Sequence, residues 1–258
     1  MPEHSEILKN AGAVVSDPSA FDAVCRIDQL PAPRVSVASA LVENVKGVLF
    51  PVTFVAVHSH AVDAFVDVSM NVIFMSGKNH AYGHYHAYDR ILQEGEMVIL
   101  DAGPDLDDYH VDISTTFPVG KTFTPRQREL YEVALAVHDV CLAAYRPGVT
   151  FGQVGEKVAA MLKERGLEDS YAKDFRGIVR LGGYNHMIGM ATHDVAGTFA
   201  GSNEVLVPGM VFACDIQLFR IPEEIGIRIE DTIAVTDKGF ENLSPGCPRT
   251  VAEIEALK

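Results

Sequence analysis

Four acidic side chains stand out because each lies in, or at the end of, a run of apolar residues. They are Asp101, Asp112, Asp215 and Glu230. A carboxylate in an apolar strand is costly to desolvate unless a cation or a hydrogen-bond donor pairs with it. Any one of them could cap a backbone N–H group at a strand end or pair with Arg228. Four carboxylates and one arginine cannot all be paired in this way, so the set indicates a metal site.

The types of ligand atom restrict which metal ion can bind. Carboxylate oxygens with one imidazole suit a hard or borderline divalent ion, which favours Mn²⁺, with Co²⁺, Fe²⁺ or Zn²⁺ as alternatives. Four carboxylates neutralise two divalent ions, and two ions about 3.5–4 Å apart activate water and stabilise a tetrahedral transition state. The sequence therefore predicts two divalent metal ions and a hydrolytic reaction.

Four predicted strands carry or adjoin these carboxylates. The apolar run Met97–Leu100 is typical of a buried strand and ends on Asp101. The strand ends at Gly103, and the chain then returns through Asp112 into a β-branched strand. This pattern predicts a hairpin with one aspartate on each arm. Two further strands, over 210–219 and 226–235, carry Asp215 and Glu230. Arg228 shares a face with Glu230 because side chains alternate along a strand.

Helices and loops surround these strands. Capping boxes at Thr124 and Thr150 predict one helix to about Tyr145 and a second that ends at Gly166. Residues 1–75 carry weaker patterns, from which we predict a helix over 37–45 and strands over 48–57 and 64–75. The polar loop 76–86 holds three histidines, and its pattern suits a functional loop and a solvated turn equally well.

The ordered motifs resemble those of the pita-bread metallopeptidases, the family of aminopeptidase P, prolidase and methionine aminopeptidase, with creatinase as a metal-free relative. The matching motifs are Asp101-Ala-Gly, Tyr109, Asp112-Ile, Thr116-Phe, His193-Asp-Val and Gly226-Ile-Arg-Ile-Glu-Asp. They cover about residues 76–257. The last two forms are similar to the aminopeptidase P and prolidase branch.

This resemblance implies an α+β pita-bread fold, in which a curved, mostly antiparallel sheet is covered by helices. It also implies roles for individual residues. The implied metal ligands are Asp101, Asp112, His186, Asp215 and Glu230. The implied substrate-binding residues are His84, His193 and Arg228, and the implied catalytic residues are His84, His193 and Glu230. His84 and His193 would hydrogen-bond the substrate carbonyl and the oxyanion, and Glu230 or Asp215 would accept the proton.

The chain departs from the family pattern at four places. Asp215-Ile-Gln replaces Glu-Pro-Gly, and Gly182 stands where the proline-specific enzymes often carry a substrate-contacting histidine. Ser114-Thr-Thr replaces a common Thr-Arg-Thr, and residues 16–75 do not match the N-terminal domain of aminopeptidase P. The chain therefore has the length of a lone catalytic domain or is a truncated member.

The expected function is metal-dependent hydrolysis of a peptide bond at or near an N-terminus, of the Xaa-Pro aminopeptidase or dipeptidase type. Two alternatives remain open because a fold does not fix a function. One is a relative that cleaves a non-peptide small molecule, as a lyase or amidinohydrolase. The other is a non-catalytic binding module with the same fold.

Composition limits the partners and the compartment. The 258 residues carry a net charge of −14, which disfavours nucleic acid and anionic membranes as partners. None of the four cysteines forms a CxxC pair, which predicts a reducing, cytoplasmic compartment. We expect a single catalytic domain over 1–258 that acts on a peptide or small molecule, and a homodimer remains open.

Overall fold

A computed structural model describes the chain over these ranges: 34–43, 49–59, 62–64, 73–85, 92–103, 105–106, 109–175, 178–179, 184–194 and 201–256. The chain divides into two compact units, Met1–Val66 and Asp67–Lys258. The predicted site residues all belong to the second unit. The single domain over 1–258 stays a prediction.

The first unit contains a three-stranded antiparallel meander. Its strands are β1 (Arg34–Glu43), β2 (Leu49–Ser59) and β3 (Val62–Ala64). The helix predicted over 37–45 is wrong, because β1 pairs with β2 from Arg34↔His58 to Glu43↔Leu49. Valine, alanine and leucine suit either a short helix or a buried strand, and pairing with β2 decides between them. The predicted strand over 48–57 is confirmed by β2.

The second unit is built on a six-stranded sheet. Its strands are β4 (Ile73–Ser76), β5 (Met97–Ala102), β8 (Ile113–Pro118), β9 (Val211–Arg220), β10 (Ile225–Thr236) and β11 (Gly239–Asn242). A short ribbon of β6 (Asp105–Leu106) and β7 (Tyr109–His110) lies between β5 and β8 in sequence. The helices are α1 (Pro125–Ala144), α2 (Phe151–Glu164), α3 (Glu168–Tyr171) and α4 (Val251–Ala256), and 3₁₀ turns cover Gly77–Tyr82 and Ile221–Glu223.

Strand β10 connects the sheet. It pairs with β9 along one edge, from Ile225↔Arg220 to Ala234↔Val211. Its other edge meets β8 at one residue pair and β11 over its last four residues. Beyond β8 follow β5 and then β4, and all of these pairings are antiparallel.

The two long helices begin as the sequence predicts. Thr124 and Thr150 each accept a hydrogen bond from the N3 backbone N–H, and the side-chain oxygen of each N3 glutamine accepts one from the N–H of the cap residue. Helix α1 packs against α2, β9 and β10, and the ring of Phe212 on β9 meets Tyr145 edge-on at 4.9 Å. Within the described residues, no helix has both the length and the apolar character that crossing a bilayer requires.

Candidate metal centre

The sheet places three of the predicted carboxylates in one row. Asp101 on β5 lies opposite Ser114 on β8, Ser114 lies opposite Glu230 on β10, and Glu230 lies opposite Asp215 on β9. Residues directly opposite each other on antiparallel strands have side chains on the same face. Four strands therefore contribute to one surface, and each of the three carboxylate residues has at most 2% of its surface exposed.

Asp112 and His186 join this row. Asp112 lies just before β8, two residues from Ser114 and on the same face. His186 lies in a segment that runs beside β9, where its carbonyl accepts from the backbone N–H of Ala213 at 2.9 Å. His186 Nε2 is 3.4 Å from Asp112 Oδ2 and 3.4 Å from Glu230 Oε1. These distances are longer than an ordinary N–H···O hydrogen bond.

Donor atoms in this cluster fit a metal ion. Asp101 Oδ1, both Asp112 oxygens, His186 Nε2 and Glu230 Oε1 are buried and have no hydrogen-bond partner of normal geometry. Ligand atoms of Asp101, Asp112 and Glu230 lie within 4.8 Å of one another, as do those of Asp112, His186 and His193. Buried polar atoms without a hydrogen-bond partner are costly. Two ligand atoms that each lie about 2.1 Å from one ion in a tetrahedral shell are themselves about 3.4 Å apart. The first group consists of predicted metal ligands, whereas the second includes His193, which the sequence analysis assigned to substrate.

Arg228 lies among the carboxylates. Its guanidinium contacts Asp101 and is 3.1 Å from both Asp215 Oδ1 and Glu230 Oε2. Its side chain is only 4% exposed. Within the described residues, Arg228 therefore neutralises part of the charge that the sequence assigned to metal ions. Its predicted contact with substrate stays a prediction.

Asp215 differs from the other predicted ligands because both of its oxygens have protein partners. Oδ1 accepts from Arg228, and Oδ2 accepts from Gln217 Nε2 at 2.5 Å. Burial raises its pKa to about 7, although Arg228 opposes the rise. Asp215 belongs to neither of the two groups of metal-capable atoms found among the described residues. Its assignment as a ligand stays a prediction.

Burial and neighbouring charges shift the pKa values of the cluster residues. Burial raises the pKa of Asp101 well above its usual range against the opposing charge of Arg228, and Asp112 adds to the rise. Burial also raises the pKa of Asp112, but His186 and Arg228 outweigh it and leave that pKa low. Burial lowers the pKa of His186, whereas Asp112 and Glu230 raise it to about 10. Metal ligands must be deprotonated, so metal binding here releases protons.

The two remaining histidines are exposed. The His193 ring meets His186 edge-on, with ring centroids 4.2 Å apart. Partial burial and the charge of His186 lower the pKa of His193, which favours the neutral ring. His84 follows the 3₁₀ turn beside β4, where its N–H donates to the Tyr82 carbonyl at 2.8 Å. Gly182 lies outside the described residues.

A second charged network, which the sequence analysis missed, lies behind the cluster. Asp231 Oδ1 accepts from Arg249 Nη2 at 2.5 Å, and Asp231 Oδ2 is 3.0 Å from His138 Nε2. Asp231 points away from Glu230 because the two are neighbours on one strand. The position of Asp231 next to Glu230 in the final motif was the one local signal for this network, since His138 and Arg249 are distant in sequence.

Comparison with known proteins identifies the family. The model of metallopeptidase family M24 matches residues 49–237. The chain belongs to this family. The match begins upstream of the resemblance that the motifs indicated, which starts at about residue 76. Membership of a metallopeptidase family implies divalent metal ions, and the described residues include acidic and histidine groups that could bind them.

Individual relatives agree with this assignment. The chain is 34% identical to the Xaa-Pro aminopeptidase of Escherichia coli over 206 residues, which cover 73% of this chain and 47% of that protein. It is 33% identical to Xaa-Pro aminopeptidase 2 of Streptomyces coelicolor, with 73% and 45% covered. The structure of proline aminopeptidase P II from Yersinia pestis superposes with a TM-score of 0.64 at 31% identity, covering 74% of this chain and 48% of that one. The chain thus spans about half the length of the curated relatives it matches, and the predicted α+β pita-bread fold is confirmed.

Proposed function

We propose that this member of family M24 is a dinuclear metallopeptidase that removes an N-terminal residue from peptides, with a preference for Xaa-Pro bonds. The observation that carries the proposal is the convergence of unpaired, buried donor atoms from Asp101, Asp112, His186 and Glu230. The names of its relatives support the Xaa-Pro preference. Mn²⁺ is the proposed ion, with Co²⁺, Fe²⁺ or Zn²⁺ as alternatives.

The residues that would hold the ions are Asp101, Asp112, His186, Asp215 and Glu230. When bound, the ions polarise the scissile carbonyl and lower the pKa of water. Asp215 would hold an ion in competition with two protein donors, because Arg228 and Gln217 already donate to its two oxygens.

Side chains of the protein are proposed to accept the proton and to stabilise the oxyanion. Glu230 is the proposed base, because Ser114 Oγ donates to its Oε2 at 2.6 Å while its Oε1 points into the cluster. His193 stands at the exposed rim beside His186 with a neutral ring, and its N–H donates to the developing oxyanion. His84 is proposed to hydrogen-bond the substrate carbonyl, and Arg228 to contact substrate in addition to its carboxylates.

Elemental analysis of protein purified without chelator, followed by a panel of Xaa-Pro and Xaa-Ala peptides, tests the proposal. We expect two transition-metal ions per chain, faster release of the N-terminal residue from Xaa-Pro peptides, and loss of activity with EDTA. Asp112→Asn should lose metal and activity together. Asp174→Asn is the control, since Asp174 pairs with Arg220 at 2.7 Å and is not part of the cluster. Absence of metal from the parent protein would refute the proposal.

A second function is favoured by one observation. Gln217 holds Asp215 at the position where relatives use a Glu-Pro-Gly turn, so the pocket has been altered next to its fourth predicted ligand. A pocket altered in this way could cleave a non-peptide small molecule. Two bound ions with no turnover of either peptide series would support this reading over the first.

The remaining predictions on partners and compartment are kept as proposals. The substrate is a peptide, nucleic acid and membranes are not partners, and a homodimer remains open. Cys141, Cys214 and Cys247 are free thiols, which supports the proposed cytoplasmic location.

A further inference from the structure

Strands β8 and β10 meet in an unusual way. Their only ladder pair among the described residues is Ser114↔Glu230. By contrast, β8 pairs with β5 along its whole length, from Met97↔Pro118 to Ala102↔Ile113. The two strands that carry Asp112 and Glu230 are thus joined directly at a single point.

On each side of that point, a threonine hydroxyl lies between the strands. Thr116 Oγ1 donates to the carbonyl of Arg228 and accepts from its N–H, both at 2.8 Å. Thr232 Oγ1 donates to the carbonyl of Asp112 at 2.8 Å and accepts from its N–H at 2.9 Å. Both threonines are fully buried. The antiparallel register places each threonine opposite the residue that it bonds.

Each hydroxyl therefore replaces a direct pair of backbone hydrogen bonds. One oxygen satisfies the N–H and the carbonyl of the opposite residue, so neither group is left buried and unpaired. A bridging hydroxyl takes more room than a direct N–H···O bond. The strands are consequently held apart on both sides of the Ser114↔Glu230 pair.

Arg249 fixes the centre of the same junction. Its Nη1 donates to the Ser114 carbonyl at 2.8 Å, and its Nη2 donates to the Glu230 carbonyl at 2.6 Å. Asp231 and His138 hold the guanidinium from behind. One side chain thus ties the two strands together at their single point of pairing.

We propose that Thr116, Thr232 and Arg249 are positioning residues that set the gap between β8 and β10 so that Asp112 and Glu230 reach the same ion. The inference rests on the metal site proposed above. Every backbone group held by these three side chains belongs to a residue of the cluster or to Ser114, which bonds Glu230. Residues that orient metal ligands typically alter metal affinity by about 10–100-fold when they are replaced.

Paired substitutions at Thr232 test the role. Thr232→Val keeps the shape but leaves the Asp112 N–H and carbonyl unpaired, whereas Thr232→Ser keeps the hydroxyl. Thr236→Val is the matched control on the same strand, because the Thr236 hydroxyl accepts from Gly239 N–H in the turn between β10 and β11, at 3.1 Å, and contacts no residue of the cluster among the described residues. Each metal-free protein is titrated with Mn²⁺ by calorimetry, its melting temperature is measured, and the visible spectrum of its Co²⁺-loaded form is recorded.

We expect Thr232→Val to weaken Mn²⁺ binding by about tenfold or more and to change the Co²⁺ spectrum, while Thr232→Ser and Thr236→Val match the parent. A lower melting temperature with unchanged affinity and spectrum would overturn the positioning role. If Thr232→Val does not fold, Thr116→Val and Arg249→Gln supply the same readouts at the other two contacts. A parent protein that binds no Mn²⁺ would instead contradict the proposed metal site.

Discussion

A buried imidazole behind the metal cluster should make stability depend on pH. His138 on α1 has 2% of its side chain exposed, and its Nε2 is 3.0 Å from Asp231 Oδ2. Burial lowers the pKa of His138, but the carboxylates of Asp139 and Asp231 raise it from 6.5 to about 9. Asp139 is 68% exposed and 3.9 Å away, so Asp231 is the partner that holds the charge.

The size of the effect follows from the two pKa values. A rise from 6.5 to about 9 on folding corresponds to about 3 kcal/mol of stability. The folded pKa lies above the unfolded one, so this contribution is complete below pH 6.5 and disappears as the pH approaches 9. Within that window the folded state binds the extra proton, and stability falls by about 1.4 kcal/mol per pH unit.

Replacement of His138 by glutamine isolates this contribution. The amide of His138→Gln can still donate to Asp231 but does not titrate. We would measure thermal unfolding of both metal-free proteins from pH 6 to pH 10. The parent should lose about 6–12 °C of melting temperature relative to the variant between pH 6.5 and 9. His186 titrates in both proteins, so its effect cancels in the difference, and parallel curves would refute the reasoning.

Three further predictions concern packing and the site. Gly155→Ala would place its Cβ 2.4 Å from the Ile178 carbonyl oxygen, so it should lower the unfolding free energy by about 1–3 kcal/mol. In Gly201→Ala the added Cβ meets no atom within 4 Å, so this variant should keep the stability of the parent. Equal melting temperatures for the two variants would contradict the prediction. His193→Ala should retain its metal in elemental analysis while kcat falls by about 10²–10³-fold; loss of metal would make His193 a ligand. Asp215→Glu should weaken metal binding because the added methylene crowds a packed site, and a gain in both metal content and peptidase rate would contradict that.

The sequence predicted those features that have local signals. The apolar run Met97–Leu100 became β5, and the hairpin arms place Asp101 and Asp112 in one cluster. The two capping boxes formed as expected, since a cap is defined within four residues. The helix predicted over 37–45 is wrong because its apolar pattern suits either a helix or a strand, and pairing with β2 makes it a strand.

Features that depend on distant residues were not predictable in the same way. From the sequence, Arg228 was a possible partner for one carboxylate. In the structure it contacts Asp101, Asp215 and Glu230 together. The hydroxyl bridge from Thr232 to Asp112 spans 120 residues. No periodicity marks such a contact, because it depends on the register of two strands that meet only in the folded sheet.

The central position of β10 also affects how the protein is synthesised. Its residues, Ile225–Thr236, leave the ribosome after every other strand of the cluster, yet β8, β9 and β11 all pair with it. Until then, β8 and β9 present unpaired edges of the kind that promote aggregation. A chain stalled or cleaved before residue 225 therefore lacks Glu230 and exposes those edges together. Completion of the carboxylate cluster and protection from aggregation arrive in a single late step, and the nascent chain would need a chaperone most during that interval.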